Sequence, residues 1–269
     1  MSAATLATPV RIAPSLSLVD ARFFSNQEII RGRYIVRLAR TDEEVEAALK
    51  LRYEVFNLEL GEGLASSFLT GRDRDEFDLT SQHLILIDRL QRQVIGTYRL
   101  RTYEIAKAID GFYSFREFDL SALPHEVLAN AIEVGRFCLA RGHRNSWAHM
   151  ALWRGLRLCL MHNNKRHVFG SLSLATQDPT EAGRIFDQLS GEGHLHPEFK
   201  VRPKTGFKCL WYRVPEERRS EVTISSWFRL CLRLGTKLCG PPAINRQFRT
   251  IDFPVFLDVT QGRTIEVHR

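Results

Sequence analysis

The chain has 269 residues, 44% hydrophobic and 26% charged, values that fit a globular protein with one sizeable core and exclude a disordered or fibrous chain. No stretch approaches the roughly 20 apolar residues of a membrane span. The first residues lack the basic-then-apolar order of a secretory leader, and five cysteines without a CxxC pair disfavour a disulfide framework or a zinc site, so a reducing cytoplasm is expected. The formal charge of +7 is concentrated: residues 200–249 carry 12 basic and 3 acidic side chains, a surface suited to nucleic acid, an anionic membrane face or an acidic carrier protein.

In chain order, residues 1–33 read as an arm with a short helix near 16–24, and residues 34–38 as a first strand. Thr41 precedes Asp42, Glu43 and Glu44, the order of an N-cap followed by acid in the first turn. The helix it opens carries Val45, Ala48, Leu49, Tyr53 and Phe56 on one face. Residues 83–88 and 93–101 form an antiparallel hairpin about a polar turn at 89–92, and residues 132–140 another strand. Ser146 caps a long helix to His162. A strand at 167–172, a helix at 178–189, a strand at 208–214, a helix at 224–238 and a strand at 250–259 complete the order. The expected class is mixed α/β: a mostly antiparallel central sheet with helices on both faces. Residues 34–200 are read as the core and 201–269 as a basic elaboration packed on it.

Several charged residues fall where packing alone does not explain them. Arg52 stands on the apolar stripe of the first helix. It either snorkels to solvent or is buried against a carboxylate. Asp73, Asp75, Glu76 and Asp78 crowd the loop GRDRDEFD. The loop has no mid-loop glycine or closing glutamate for an EF-hand, so Arg52, Arg99 or Arg101 is the expected partner. Glu133 and Arg136 bracket Gly135 and would face opposite sides of a regular strand. A bulge at Gly135 would bring both to one face, with Glu133 either a base of raised pKa or half of a structural ion pair. Arg144, Asn145 and Ser146 open the long helix, an arrangement of basic side chains and free N–H groups that binds phosphate. Walker, GxGxxG, GxSxG and HExxH patterns are absent, so nucleotide, serine-nucleophile and metal chemistry are not expected.

Taken together, LRYEVF (51–56), DRDEFD (73–78), HLILID (83–88), GTYRLR (96–101), GFYSFREFDLSAL (111–123), EVGRFCL (133–139) and LWRG (152–155) resemble the acyl-carrier-protein-dependent N-acyltransferases of the GNAT superfamily. The nearest likeness is to the hemolysin-like, ornithine-lipid-forming group, whose tail residues 229–259 also resemble. The resemblance implies a GNAT fold, its sheet splayed at a bulged strand where a pantetheine arm enters. It implies Glu133 as general base with Arg136 beside it, and Arg52, Asp75, Asp78, Arg99 and Phe56 around the amino acid. Arg144, Asn145 and Ser146 would take the pantetheine phosphate. No permanently bound cofactor and no metal is implied; the donor would be the phosphopantetheine thioester of acyl-carrier protein. The expected reaction moves a long, 3-hydroxylated or plain fatty acyl chain to the α-amine of an amino acid, ornithine first. Another N-acyl amino acid such as N-acyl tyrosine, or an acyl-homoserine lactone, is the alternative product. A basic membrane- or RNA-binding module is the non-enzymatic alternative, although nucleic acid is not an expected partner. The acyltransferase would be cytoplasmic, with peripheral contact at the inner membrane face through residues 224–238.

Overall fold

A computed structural model describes residues 27–109, 111–211 and 224–260; the helix expected near 16–24 lies outside them. The strands are β1 (Glu28–Arg31), β2 (Tyr34–Leu38), β3 (Gln82–Asp88), β4 (Gln93–Thr102), β5 (Phe118–Asp119), β6 (Ala131–Leu139), β7 (His167–Leu174), β8 (Arg202–Pro203), β9 (Lys237–Leu238), β10 (Ala243–Asn245) and β11 (Thr250–Asp258). The helices are α1 (Asp42–Arg52), α2 (Ser67–Thr70), α3 (Tyr103–Ala108), α4 (His125–Ala129), α5 (Ser146–His162), α6 (Pro179–Gly191) and α7 (Ser226–Arg233). One large sheet runs β1-β2-β3-β4-β6-β7-β11-β10, with β9 also paired to β11. Every neighbouring pair in it is antiparallel except β6 with β7.

Local rules account for the helix starts. The Thr41 hydroxyl accepts the Glu44 N–H, and the Asp178 carboxylate accepts the Thr180 N–H with Pro179 in the first turn. The long helix is capped by Asn145, whose Oδ1 takes the Ala148 N–H at 3.0 Å, one residue before the expected Ser146. The two side chains are equally competent, and the extended backbone at Asn145 decides between them. Residues 28–31, expected within an arm, pair along β2 as an edge strand. The helix expected at 224–238 spans only 226–233, because Gly235 turns left-handed (φ +100°) and frees Lys237 to pair with β11. The strand expected at 208–214 is reduced to a single bridge, Lys208 to Ala243, within the described residues. The C-terminal segment enters the main sheet: β11 pairs with β7 from Ile251–Leu174 to Asp258–His167.

Helix α5 lies on one face of the sheet, burying Ala148, Leu152, Leu156 and Leu160 against Val36, Leu84, Leu100 and Ile132. The contact is close enough that a Cβ on Gly155 would come within 2.6 Å of Val36 Cγ2. Helix α1 and the π-helical turns that continue it (Tyr53–Glu59) cover the opposite face, where Leu51, Val55 and Phe56 meet Cys138. Helices α6 and α7 share a third apolar cluster with β7 and β11. All five cysteines are buried thiols. Among the described residues, no helix is long and apolar enough to cross a membrane.

Two departures from regular pairing place the functional region. The parallel β6–β7 ladder stops at Val134–Gly170, although both strands continue, so the sheet splays there. Strand β6 also holds one extra residue between its pairings Gly135–Arg99 and Cys138–Thr97. The left-handed residue of this bulge is Arg136 (φ +51°), not Gly135.

Candidate active site

The bulge resets the alternation of β6. Before it, Ile132 and Val134 face α5 and Glu133 faces α1; after it, Cys138 faces α1 and Leu139 faces α5. Glu133 and Arg136 therefore share the α1 face, and they line a cavity of about 630 Å³ that passes through the splay to the α5 side. Its walls are mostly apolar (Tyr98, Phe137, Trp153, Leu156 and Trp227), with Trp227 stacked on Phe137 at 4.0 Å between ring centres.

Beneath the polar end lies a buried charge network. Arg52, 1% exposed, donates from Nε (2.9 Å) and Nη2 (2.6 Å) to Asp73 Oδ1, and from Nη1 (2.6 Å) and Nη2 (3.0 Å) to the two Asp78 oxygens. Arg99 donates to Asp75 at 2.6 Å and to Asp78 at 3.3 Å. Arg136 pairs with Asp73, its guanidinium lying 4.3 Å from the Phe56 ring centre and 4.4 Å from that of Phe248. Three arginines thus balance three aspartates. Burial pushes the Asp78 carboxyl up, but Arg52 and Arg99 outweigh it and hold the group far below the usual carboxylate range. Burial takes the neighbouring His83 down to about 4. Arg52, Asp75 and Asp78 do not line the cavity: Asp75 and Asp78 hold Arg99, which does, and Arg52 shares Asp73 with Arg136, which lines it beside Phe56. Arg101 turns instead to the Gly111 carbonyl (2.9 Å) and the Thr80 hydroxyl.

Glu133 makes no ion pair among the described residues. Its oxygens accept the backbone N–H groups of Tyr113 (2.8 Å) and Ser114 (2.7 Å). Burial raises its carboxyl above the ordinary range, and these donors offset only part of that rise. A carboxylate so held keeps free lone pairs and a reason to take a proton. At the rim, Arg144 lines the cavity but is forked onto Glu59 at 2.5 and 2.7 Å. Asn145 and Ser146 start α5 without lining the cavity, so a phosphate arriving there would compete with Glu59 for Arg144.

Sequence reasoning missed a second acidic group. Glu62 and Asp252 line the cavity, and Glu117 lies behind with Tyr113 and Asn245. The only sequence signal was an aspartate inside the otherwise apolar strand TIDFPVFLD. Burial, reinforced by Asp252, raises Glu62 to about 7 against the opposing pull of Arg136.

Residues 51–154 match the GNAT acetyltransferase domain. An L-ornithine N(alpha)-acyltransferase from Agrobacterium fabrum is 36% identical over 88% of this chain and 85% of its own. Another from Rhodobacter capsulatus is 31% identical over 88% of this chain and 93% of its own. Among solved structures, an N-acyl amino acid synthase from uncultured soil microbes aligns with a TM-score of 0.46 and 11% identity, covering 85% of this chain and 92% of that one.

Proposed function

The chain belongs to the same GNAT N-acyltransferase family as these two relatives, and we propose that it transfers a long-chain fatty acyl group from the phosphopantetheine thioester of acyl-carrier protein to the α-amine of L-ornithine. The observation that carries the proposal is the meeting of Glu133, Arg136 and Arg99 with an apolar cavity where β6 leaves β7. Beyond Val134 the β6 edge has no ladder with β7, which suits pairing with the amide groups of an extended pantetheine arm. The apolar walls suit the acyl chain.

Arg136, with Arg99 behind it, faces the amino acid carboxylate. Held within reach of Glu133, the neutral α-amine attacks the thioester carbonyl carbon. Glu133 receives the amine proton, the C–S bond breaks, and the thiolate departs to take up a proton as the free thiol of the carrier arm. The cavity holds both reactants in one geometry, and burial makes the Glu133 carboxylate a stronger base than an ordinary one. The basic face of α7, with Arg229 and Arg233 outward, suits an acidic carrier protein.

The testing experiment offers purified protein long-chain acyl-carrier protein, plain or 3-hydroxylated, or the matching acyl-coenzyme A, with the twenty amino acids plus ornithine and homoserine lactone. N-acylornithine formed from the carrier-bound donor, read by mass spectrometry, is the expected result. A product on another amine, or none, overturns the ornithine assignment; equal use of coenzyme A overturns the carrier.

A further inference from the structure

Beside the catalytic end of the cavity lie three acidic side chains that form no ion pair with the described residues. Asp252 is 5% exposed and Glu117 1%, and neither they nor Glu62 pair with any lysine, arginine or histidine among the described residues. Glu117 Oε1 accepts the Tyr113 hydroxyl (2.8 Å) and the Asn245 amide (2.7 Å), and Asn245 also reaches Asp252 Oδ2 at 3.4 Å. Glu117 Oε2 and Asp252 Oδ1 are buried and take no hydrogen bond from a cation or an amide of the described residues; the two carboxyls bond each other through a shared proton, which leaves the pair one negative charge. A buried carboxylate oxygen without a donor is costly, and such groups in a native protein mark something missing. Burial and mutual repulsion accordingly drive the Glu117 carboxyl well above its ordinary range.

The missing group is a cation that donates hydrogen bonds. A metal ion does not fit, since among the described residues no three carboxylate, thiol or imidazole groups converge to hold one. An alkylammonium does fit: it carries three donors, tolerates wide geometry and brings the charge the site lacks. Tyr113 sets the scale, because its backbone N–H binds Glu133 and its hydroxyl binds Glu117. The base and the acidic recess are therefore one tyrosine's length apart, comparable to the run from the α-nitrogen to the terminal nitrogen of a short-chain diamino acid.

We propose that Asp252, backed by Glu117 and with Glu62 in the same cavity lining, binds the terminal ammonium of a diamino acid, selecting such substrates over neutral amino acids of the same shape. This rests on the acyl-transfer function proposed for the same cavity and names its specificity determinant. Arg136 at one side and Asp252 at the other give the cavity a fixed polarity, which orients the α-amine towards Glu133 and leaves the terminal amine unacylated.

The test compares ornithine with norvaline, the same molecule without its terminal amine, in wild type and in Asp252→Asn and Glu117→Gln. Wild type should prefer ornithine strongly in kcat/KM. Either variant should cut that preference about 100-fold, the scale on which a site built for a polar group rejects its absence. Both neutral isosteres relieve repulsion, so they should melt no lower than wild type. A second arm needs no turnover: 1,4-diaminobutane should raise the melting temperature of wild type and not of Asp252→Asn. Wild type that acylates ornithine with a preference untouched by both variants overturns the recess alone. A protein that binds the diamine through Asp252 yet acylates no ornithine upholds the recess and overturns the ornithine assignment alone.

Discussion

Replacing Arg52 with methionine (Arg52→Met) removes one cation from a buried set of three arginines and three aspartates and leaves the aliphatic volume in place. Asp73 keeps Arg136 and Asp78 keeps Arg99, so the loss is one uncompensated charge and four hydrogen bonds. Breaking a buried pair from one side costs about 3–5 kcal/mol. The protein has one escape, which is to protonate an aspartate. From an ordinary pKa of 3.8, that costs about 4 kcal/mol at pH 7 and about 1.6 kcal/mol at pH 5, at 1.36 kcal/mol per unit. The variant should therefore lose about 4 kcal/mol at pH 7, a fall in Tm of about 10 °C, and distinctly less at pH 5. The sign follows from linkage. In the wild type the depressed Asp78 carboxyl binds fewer protons than in the unfolded chain, so its stabilisation holds above pH 3.8 and fades only in stronger acid. In the variant Arg99 alone sustains part of that stabilisation, and acid relieves the one uncompensated charge. Urea unfolding of both proteins at pH 7 and pH 5 makes the comparison. A loss below about 1 kcal/mol at pH 7, or an equal loss at both pH values, would refute the charge-balance reasoning.

A Cβ added at Gly170 would lie 2.2 Å from the Val134 carbonyl oxygen on the last rung before the splay. Gly170→Ala should cost about 2 kcal/mol or more in urea unfolding and raise the KM for the acyl donor; an unchanged KM would separate the splay from donor binding. Charge reversal at Arg229, Arg233 and Lys237 should raise the KM for acyl-carrier protein about tenfold at low salt, an effect that fades as salt screens the encounter, with the KM for the amino acid unmoved. Glu133 acts as the base only when deprotonated, so kcat should hold at high pH and fall as pH drops through its raised pKa. Glu133→Gln should lower kcat about 100-fold or more and abolish that acid limb; near-normal turnover would remove Glu133 from the base role.

Local signals in the sequence reached as far as local physics does. Thr41 and Asp178 mark their helices because a cap is a matter of three adjacent residues. Arg52 on an apolar stripe left two readings, a stem that snorkels to solvent or a head buried on a carboxylate, and its pairing with Asp73 and Asp78 decides for the second. The bulge in EVGRFCL was foreseen, but glycine's tolerance of left-handed backbone pointed to Gly135, whereas Arg136 takes that conformation. Arg136 is held there by Asp73 and by the rings of Phe56 and Phe248, groups 63, 80 and 112 residues away along the chain. Edge strand β1 was missed because EIIR is too short to show a period.

The acidic recess was illegible for a deeper reason. Glu62, Glu117 and Asp252 belong to the loop that follows residues 53–59, a turn before β5 and a strand near the C-terminus, and only the pairing of β11 with β7 carries Asp252 to the cavity. No spacing records that. The same fold holds two buried acidic sets and treats them oppositely. Asp73, Asp75 and Asp78 meet three arginines of the chain itself, which hold the Asp73 and Asp78 carboxyls below the ordinary range; they position Arg99 and Arg136. The second set meets amide, hydroxyl and its own like charge, and its carboxyls are driven upward. Since a hydrophobic isostere in place of unpaired carboxylates would be the more stable choice, their retention beside the cavity is best explained by a cation that the chain does not supply. A substrate ammonium would bring it at each turnover, and its departure after acylation would restore the repulsion that readies the recess for the next.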